Sequence, residues 1–332
     1  AQGMALRTGD TGEATHADAT CTSDDYEVIF RANSGESLPP VGFGESDIVV
    51  DFGTKHDRVP HASDGDGIDL AWQRQLVDAS RTWDASKFRL AKIQLATTRD
   101  GKQAPVLSLG LTTYREHVGT CTTSRPVGDR NALRDDGVAN HGIQNAHLAS
   151  ALGVECVLET RDGGVVLLRR SNGVVGSVGK WNGPSGHPEP SKVFFRDEKK
   201  NENDTATNVR ARAELFASIL REVVEETGVP FYSLSPPKLI GAMLDYFGKP
   251  DLLFRVKTNL TSREVLEKCE TARDAWESDS AEIVEAPGRR EKNHTNEVHL
   301  AHNQELSRKF WRRCPVSMAA TTRAMAECLS SL

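Results

Sequence analysis

The spacing of hydrophobic positions alternates along the chain between two and about 3.6 residues, and each change of period predicts a change of element. Residues 4–25 are rich in Thr, Ala, Gly and Asp with almost no large apolar side chains, so they read as a disordered leader. Ala1-Gln2-Gly3, ahead of Met4, reads as a cloning remnant. Short strands are expected over 26–30 and 47–52, then a helix over 68–82 carrying Leu70, Trp72, Leu76 and Val77 at helical intervals. Alternation over 88–95 and 106–111, around Arg99-Asp100-Gly101-Lys102, predicts a strand, turn, strand unit. A short helix is expected over 140–152. The runs 154–160 and 165–170 flank an Asp-Gly turn and predict a hairpin.

Downstream, Leu215, Ile219 and Leu220 give a helix over about 211–227 its buried side. Strands over 239–245 and 252–258 are expected to pair around Gly248-Lys249-Pro250. Thr261 or Ser262, with Glu264 behind, opens a capped helix. A last strand is expected over 280–286, a charged loop over 287–295, and helices over 303–313 and 315–330. This order of elements divides the chain into a leader (1–25), a smaller N-terminal α+β unit (26–140) and a second α/β unit (141–332).

Composition narrows the class. The 332 residues are 38% hydrophobic and 27% charged, enough apolar content for packed cores in a globular protein. A net charge of -6 gives no general attraction to nucleic acid or to anionic membranes, so phosphate binding must be local or metal-mediated. No run approaches the ~20 apolar residues that span a bilayer. The six cysteines lack Cys-x-x-Cys spacing, which argues against a zinc or disulfide framework and for reduced thiols in the cytoplasm.

The informative chemistry lies in Arg221-Glu222-Val223-Val224-Glu225-Glu226-Thr227-Gly228-Val229. On a helix Glu222, Glu225 and Glu226 fall at i, i+3 and i+4, so their carboxylates share one face while Val223 and Val224 turn towards a core. Like charges so placed weaken an isolated helix unless cations lie between them, and hard oxygen donors suit Mg²⁺ or Mn²⁺. Gly228 and Pro230 end the helix. Taken alone, Glu-x-x-Glu-Glu is also the pattern of a solvated acidic face.

Arg-Glu-apolar-x-Glu-Glu-x-Gly-apolar matches every specified position of the second half of a Nudix box. Trp181-Asn182-Gly183-Pro184-Ser185-Gly186-His187-Pro188-Glu189 resembles its opening turn, with Ser185 in place of a glycine. The separation from Gly186 to Arg221 exceeds the family spacing, and the polar run near 191–211 reads as an inserted loop. The upstream glutamate of the box falls at Ala213, with Glu214 one residue late. Segments 83–90, 109–120 and 186–190 further resemble the branch of UDP-glucose and UDP-galactose diphosphatases.

That resemblance implies a Nudix α/β/α sandwich with a mixed sheet, preceded by the smaller N-terminal unit. It implies metal-dependent hydrolysis of a nucleotide sugar, a small-molecule substrate, with no nucleic-acid or membrane partner. It implies metal ligation by Glu222, Glu225, Glu226 and a main-chain carbonyl at Ser185 or Gly186, with Glu222 activating water and Arg221 orienting the carboxylates through Glu225. It implies substrate contact by Lys87, Phe88, Arg89, Tyr114, Arg115 and His187. For Tyr114 and Arg115 the plain alternative is a buried ring at a strand end and a surface cation. The box does not read the base, so an ADP-ribose-like substrate stays open. A non-catalytic nucleotide-sugar module also stays open.

Overall fold

A computed structural model of the chain describes residues 26–32, 42–78, 82–97, 101–122, 124–172, 178–194, 204–285 and 319–330. The expected leader, the loop over 287–295 and the helix over 303–313 lie outside them. The strands are β1 (Tyr26–Arg31), β2 (Val49–Phe52), β3 (Ser86–Thr97), β4 (Gln103–Thr113), β5 (Gly153–Glu159), β6 (Gly164–Arg170), β7 (Trp181–Asn182), β8 (Ser185–Gly186), β9 (Lys238–Asp245), β10 (Pro250–Lys257) and β11 (Ser278–Glu285). The α-helices are α1 (Asp64–Asp78), α2 (Tyr114–Cys121), α3 (Val127–His141), α4 (Thr205–Thr227), α5 (Ser262–Cys269) and α6 (Ala320–Ser330).

The large sheet runs β1-β9-β10-β5-β6-β11 and is mixed, because β10 and β5 are parallel while the other neighbours are antiparallel. Along β5 the period of two sends Val154, Cys156 and Leu158 to one face and Val157 to the other. The first face packs on Leu215, Phe216, Ile219 and Val223 of α4 and Val265 of α5. The second packs on Ala324, Met325, Cys328 and Leu329 of α6, which completes the α/β/α sandwich. Each of the buried Val, Leu, Ile, Phe and Met side chains among these contributes about 1.5–3 kcal/mol relative to exposure.

The small sheet, β2-β4-β3, contributes Val50, Phe52, Phe88, Leu90, Leu107 and Leu109 to the same core as α4. The first strand, expected in the N-terminal unit, pairs instead with β9 of the large sheet.

Several expected boundaries move, each for a local reason. The hairpin strands β5 and β6 pair only where Glu159 faces Val165, then splay, and β8 and β7 fill the gap by pairing with β5 and β6. The helix α4 starts at Thr205 because Asp204 caps it, its carboxylate accepting from the Ala206 and Thr207 amides at 3.2 and 3.3 Å. Much of the expected inserted loop over 191–211 is therefore ordered: Val193 is buried in the core and 205–211 are helical. Residues 195–203 lie outside the described ones.

The helix α1 begins four residues before its expected start, and Leu70, Leu76 and Val77 face outwards while Ile68, Ala71 and Trp72 are buried. The helix expected over 140–152 is absent. Gly142, at φ 70°, ends α3, and the small residues Ala146, Ala149 and Ala151 let the next segment cross closely beneath β3. Neither α2 nor α3 was expected, although Thr113 and Glu116 form a capping box that the spacing Thr-x-x-Glu spells.

Candidate active site

The last two turns of α4 carry Glu222, Glu225 and Glu226, with Val223 fully buried behind them and Val224, expected in the core, only half-buried because it lies about 100° further round the helix. The negative end of the helix dipole lies here and the last turn holds no basic residue, so the helix itself opposes this charge. Burial pushes Glu222 up to about 8, assisted by Glu225 and Glu277. Burial also pushes Glu226 well above the usual carboxylate range, helped by Glu222 and Glu277 and opposed by Arg170. Glu277 is raised by burial and by Asp274 and Glu225. It is thus a fourth carboxylate of the cluster, brought in by the turn before β11, whereas Asp279 and Glu282 are exposed.

Arg221 does not orient Glu225. Its Nη1 and Nη2 clasp both oxygens of Glu214, Nη1 donating to Oε2 at 3.1 Å. Seven residues make two helical turns, so the pair shares one face. Glu214 also accepts from the Glu189 amide at 2.9 Å, tying α4 to the chain beyond β8. Glu214, one residue after Ala213, thus carries the ion pair with Arg221. Glu225 pairs with Arg273 at 2.5 Å instead.

Beneath these carboxylates runs the turn from β7 to β8. A Cβ on Gly186 would lie 2.0 Å from Glu222 Oε1, and one on Gly183 would lie 2.1 Å from the Cys156 carbonyl. Only glycine allows both approaches. The Ser185 backbone lies beside Glu226 and favours its charged form. Serine is tolerated at 185 because its φ is not in the left-handed region, and its Oγ lies 2.9 Å from Asn182 Nδ2.

A cavity of about 500 Å³ opens beside this cluster, lined by Tyr114, His117, Arg170, His187, Lys249 and Glu277 among others. Burial holds His117 down to about 3, with Lys249 and Lys87 adding to the effect. Burial, then the same two lysines, hold His187 well below the ordinary imidazole value, so both imidazoles are neutral near pH 7. His117 Nδ1 and His187 Nε2 have no hydrogen-bond partner among the described residues, and such buried atoms are positioned for a polar ligand. Lys87 is depressed by burial and drawn back by Glu189 and Glu222, which sets its ammonium in the field of the acidic cluster.

Of the expected substrate contacts, Lys87, Tyr114 and His187 meet at this region and the others do not. Phe88 is fully enclosed in the core. Arg89 is buried and its guanidinium donates to the carbonyls of Leu148, His56 and Asn145 at 3.1, 2.7 and 2.6 Å, so it braces β3. Arg115 pairs with Asp69 on the surface. Tyr114 opens α2 rather than ending a strand, and its ring meets Trp72 edge-on at 6.3 Å. Sequence reasoning missed His117, Arg170 and Lys249, and it named Glu277 only together with Asp279 and Glu282 as a position for a further acidic residue, with none singled out by spacing. His117 stood in the segment that resembled the diphosphatase branch, but nothing local distinguished Lys249 or Arg170.

No family model matches the chain. The chain is 35% identical to Nudix hydrolase 9 of Arabidopsis thaliana over 256 residues, covering 74% of this chain and 80% of that protein. It is 33% identical to uridine diphosphate glucose pyrophosphatase NUDT22 of Mus musculus over 229 residues, 68% of this chain and 72% of that one. A solved Nudix hydrolase from Alicyclobacillus acidocaldarius is 14% identical, with a TM-score of 0.31, over 55% of this chain and 91% of that chain. Among the described residues no helix is long and apolar enough to cross a membrane. On the strength of the two sequence relatives, this chain belongs to the Nudix hydrolase family and is a diphosphatase of the Nudix type.

Proposed function

We propose that the enzyme hydrolyses the diphosphate bond of UDP-glucose or UDP-galactose, releasing UMP and the sugar 1-phosphate. The reading is carried by one juxtaposition: four carboxylates beside a cavity lined by cations and neutral imidazoles, in a chain related to a protein named uridine diphosphate glucose pyrophosphatase. The 26–140 unit supplies Tyr114 and His117, and so takes part in substrate recognition.

The donor set fits Mg²⁺ or Mn²⁺. Carboxylates buried together at the negative end of a helix, with their affinity for protons raised, are a site that favours a hard divalent cation. Glu222, Glu226 and Glu225 would hold it, with a main-chain carbonyl of Ser185 or Gly186. When bound, the ion neutralises charge on the phosphoryl oxygens and lowers the pKa of water. Glu222 accepts the proton of the attacking water at its carboxylate. Arg221 and Glu214 are positioning residues that lock the helix against the chain beyond β8. Lys87, Lys249 and Arg170 hold the diphosphate oxygens. The Tyr114 ring offers its face to the uracil, and His117 and His187 offer neutral N–H or lone-pair contacts to the sugar.

The test is a panel of UDP-sugars, other nucleotide sugars, ADP-ribose, dinucleotides and coenzyme A, assayed with Mg²⁺ and with chelator. UDP-glucose or UDP-galactose is expected to turn over fastest, in a chelator-sensitive reaction that yields UMP and sugar 1-phosphate. Release of UDP and free sugar would overturn the bond assigned, and faster turnover of ADP-ribose would overturn the base.

A further inference from the structure

Away from the nucleotide cavity, the end of α3 gathers two imidazoles and a carboxylate that the hydrolysis does not use. The cause is local. Gly142 ends the helix in a left-handed turn, its amide donating to the Val138 carbonyl at 3.0 Å, and the chain folds straight back on the helix. The Ile143 amide reaches the Gly137 carbonyl at 3.3 Å, and a Cβ on Gly137 would stand 2.7 Å from the Ile143 oxygen, so glycine there permits the return. That return brings His147 over Asp136 and His141. The ligand atoms of Asp136, His141 and His147 lie within 4.8 Å of one another.

The hydrogen bonds around the cluster prepare it for a cation. Asn140 Nδ2 donates to Asp136 Oδ1 at 2.6 Å, which fixes the carboxylate and leaves Oδ2 facing His147 Nε2 at 2.7 Å. The Nδ1 atom of His147 lies 2.8 Å from the Val59 carbonyl. A carbonyl only accepts, so Nδ1 carries a proton, and in the neutral ring the Nε2 lone pair points at a carboxylate oxygen. Two acceptors so close repel unless a cation is shared between them. An outer N–H bonded to a backbone carbonyl, with a carboxylate held by its own donor, is the arrangement that orients ligands at metal centres. The rings of His61 and His141 stand 4.9 and 5.1 Å from that of His147.

We propose that Asp136, His141 and His147 form a second metal site, selective for a borderline divalent ion of the zinc class. Two imidazoles and one carboxylate give the N,N,O donor set that zinc takes with a further open position, and imidazole discriminates against Mg²⁺. None of these three residues lines the nucleotide cavity. A bound ion would join α3 to the segment that carries Asn145 and Leu148, whose carbonyls hold Arg89. Its role is to stiffen the N-terminal unit, not to take part in hydrolysis.

The experiment uses the full chain, stripped with chelator and supplied with excess Mg²⁺ so that the hard carboxylate site is filled. Zn²⁺ binding is then measured by equilibrium dialysis, and Co²⁺ substitution by visible absorption. The wild type is expected to retain about one equivalent of Zn²⁺ and to melt at higher temperature with it. Because His141 is exposed, His141→Ala is expected to fold normally and to hydrolyse substrate at the wild-type rate. It is expected to bind Zn²⁺ at least ~10-fold more weakly, with no zinc-dependent melting shift. Asp136→Asn should behave likewise towards zinc. If the wild type retains no Zn²⁺, the shared cation is a proton and the proposal fails. Equal zinc affinity and melting shift in wild type and His141→Ala would place the ion elsewhere and also overturn it.

Discussion

Beside the cavity, an acidic wall and a basic wall are built by different kinds of sequence. The acidic wall comes from one helix, where Glu222, Glu225 and Glu226 follow from a repeat of 3.6, and only Glu277 is added from elsewhere. The basic wall collects Lys87 from β3, Arg170 from the end of β6, His187 from the turn after β8 and Lys249 from the β9–β10 turn. One wall is local and the other is assembled by topology. The acidic wall concentrates charge that the fold opposes, and in the basic wall Lys87 and His187, like His117 beside them, are held in burial that disfavours their charge. Under the proposed function the two walls would have separate tasks, the acidic wall governing the rate and the basic wall governing affinity.

The largest expected effect comes from Glu222→Gln, which keeps size and removes charge. Turnover should fall by at least ~10²–10⁴-fold while KM stays within a few-fold, and steady-state kinetics on UDP-glucose checks this. A rise in KM with kcat intact would reverse the division of labour. Gly186→Ala acts on the same atom by another route. Its methyl would displace the Glu222 carboxylate, the end of a flexible side chain, so activity should drop at nearly unchanged melting temperature.

Lys249→Met probes the opposite wall. Loss of a charge-assisted contact of about 1.5–3 kcal/mol implies a KM rise of ~10–100-fold with a smaller change in kcat. If kcat falls as steeply as for Glu222→Gln, the walls do not act separately.

The same contrast explains what could be read in advance. The helix α4, its cap at Gly228 and the sandwich around it follow from periodicity and turn residues, which are local properties. The salt bridge from Arg221 to Glu214 escaped notice because i+4 was weighed and i−7 was not, although both lie on one face. The resemblance of segment 83–90 implied substrate contact by Phe88 and Arg89 as well as Lys87. The period of two along a strand turns Phe88 away from Lys87 and into the core, and the Arg89 guanidinium is held by three carbonyls. Glu277 could not be told from Asp279 and Glu282, since burial in a turn depends on packing between distant segments. The helix α3 went unseen because its polar run, 127–141, lacks a strong apolar stripe.

A smaller effect concerns pH. In the metal-free chain Glu222 sits near 8, above its ordinary value of 4.5. The stabilisation linked to its proton is complete below the lower value and is lost as pH rises through about 8. Melting temperature without metal should therefore fall from pH 5 to pH 8, and Mg²⁺ should offset the fall in wild type more than in Glu222→Gln. Calorimetric scans across that range check the sign. The smallest change is expected from Ser185→Gly, with hydrolysis unaltered and stability lower by about 0.5–1 kcal/mol through backbone entropy.

That the acidic wall holds a divalent ion is tested most directly by titrating Mg²⁺ into chelator-treated protein in a calorimeter, wild type beside Glu226→Gln. Glu226 is buried beside the Ser185 backbone, so it lies where the helix meets the turn. Saturable binding in the wild type and binding at least ~10-fold weaker in the variant, with hydrolysis lost in parallel, is the expected result. Identical isotherms for the two proteins would contradict it and leave the carboxylates as an acidic surface without a metal.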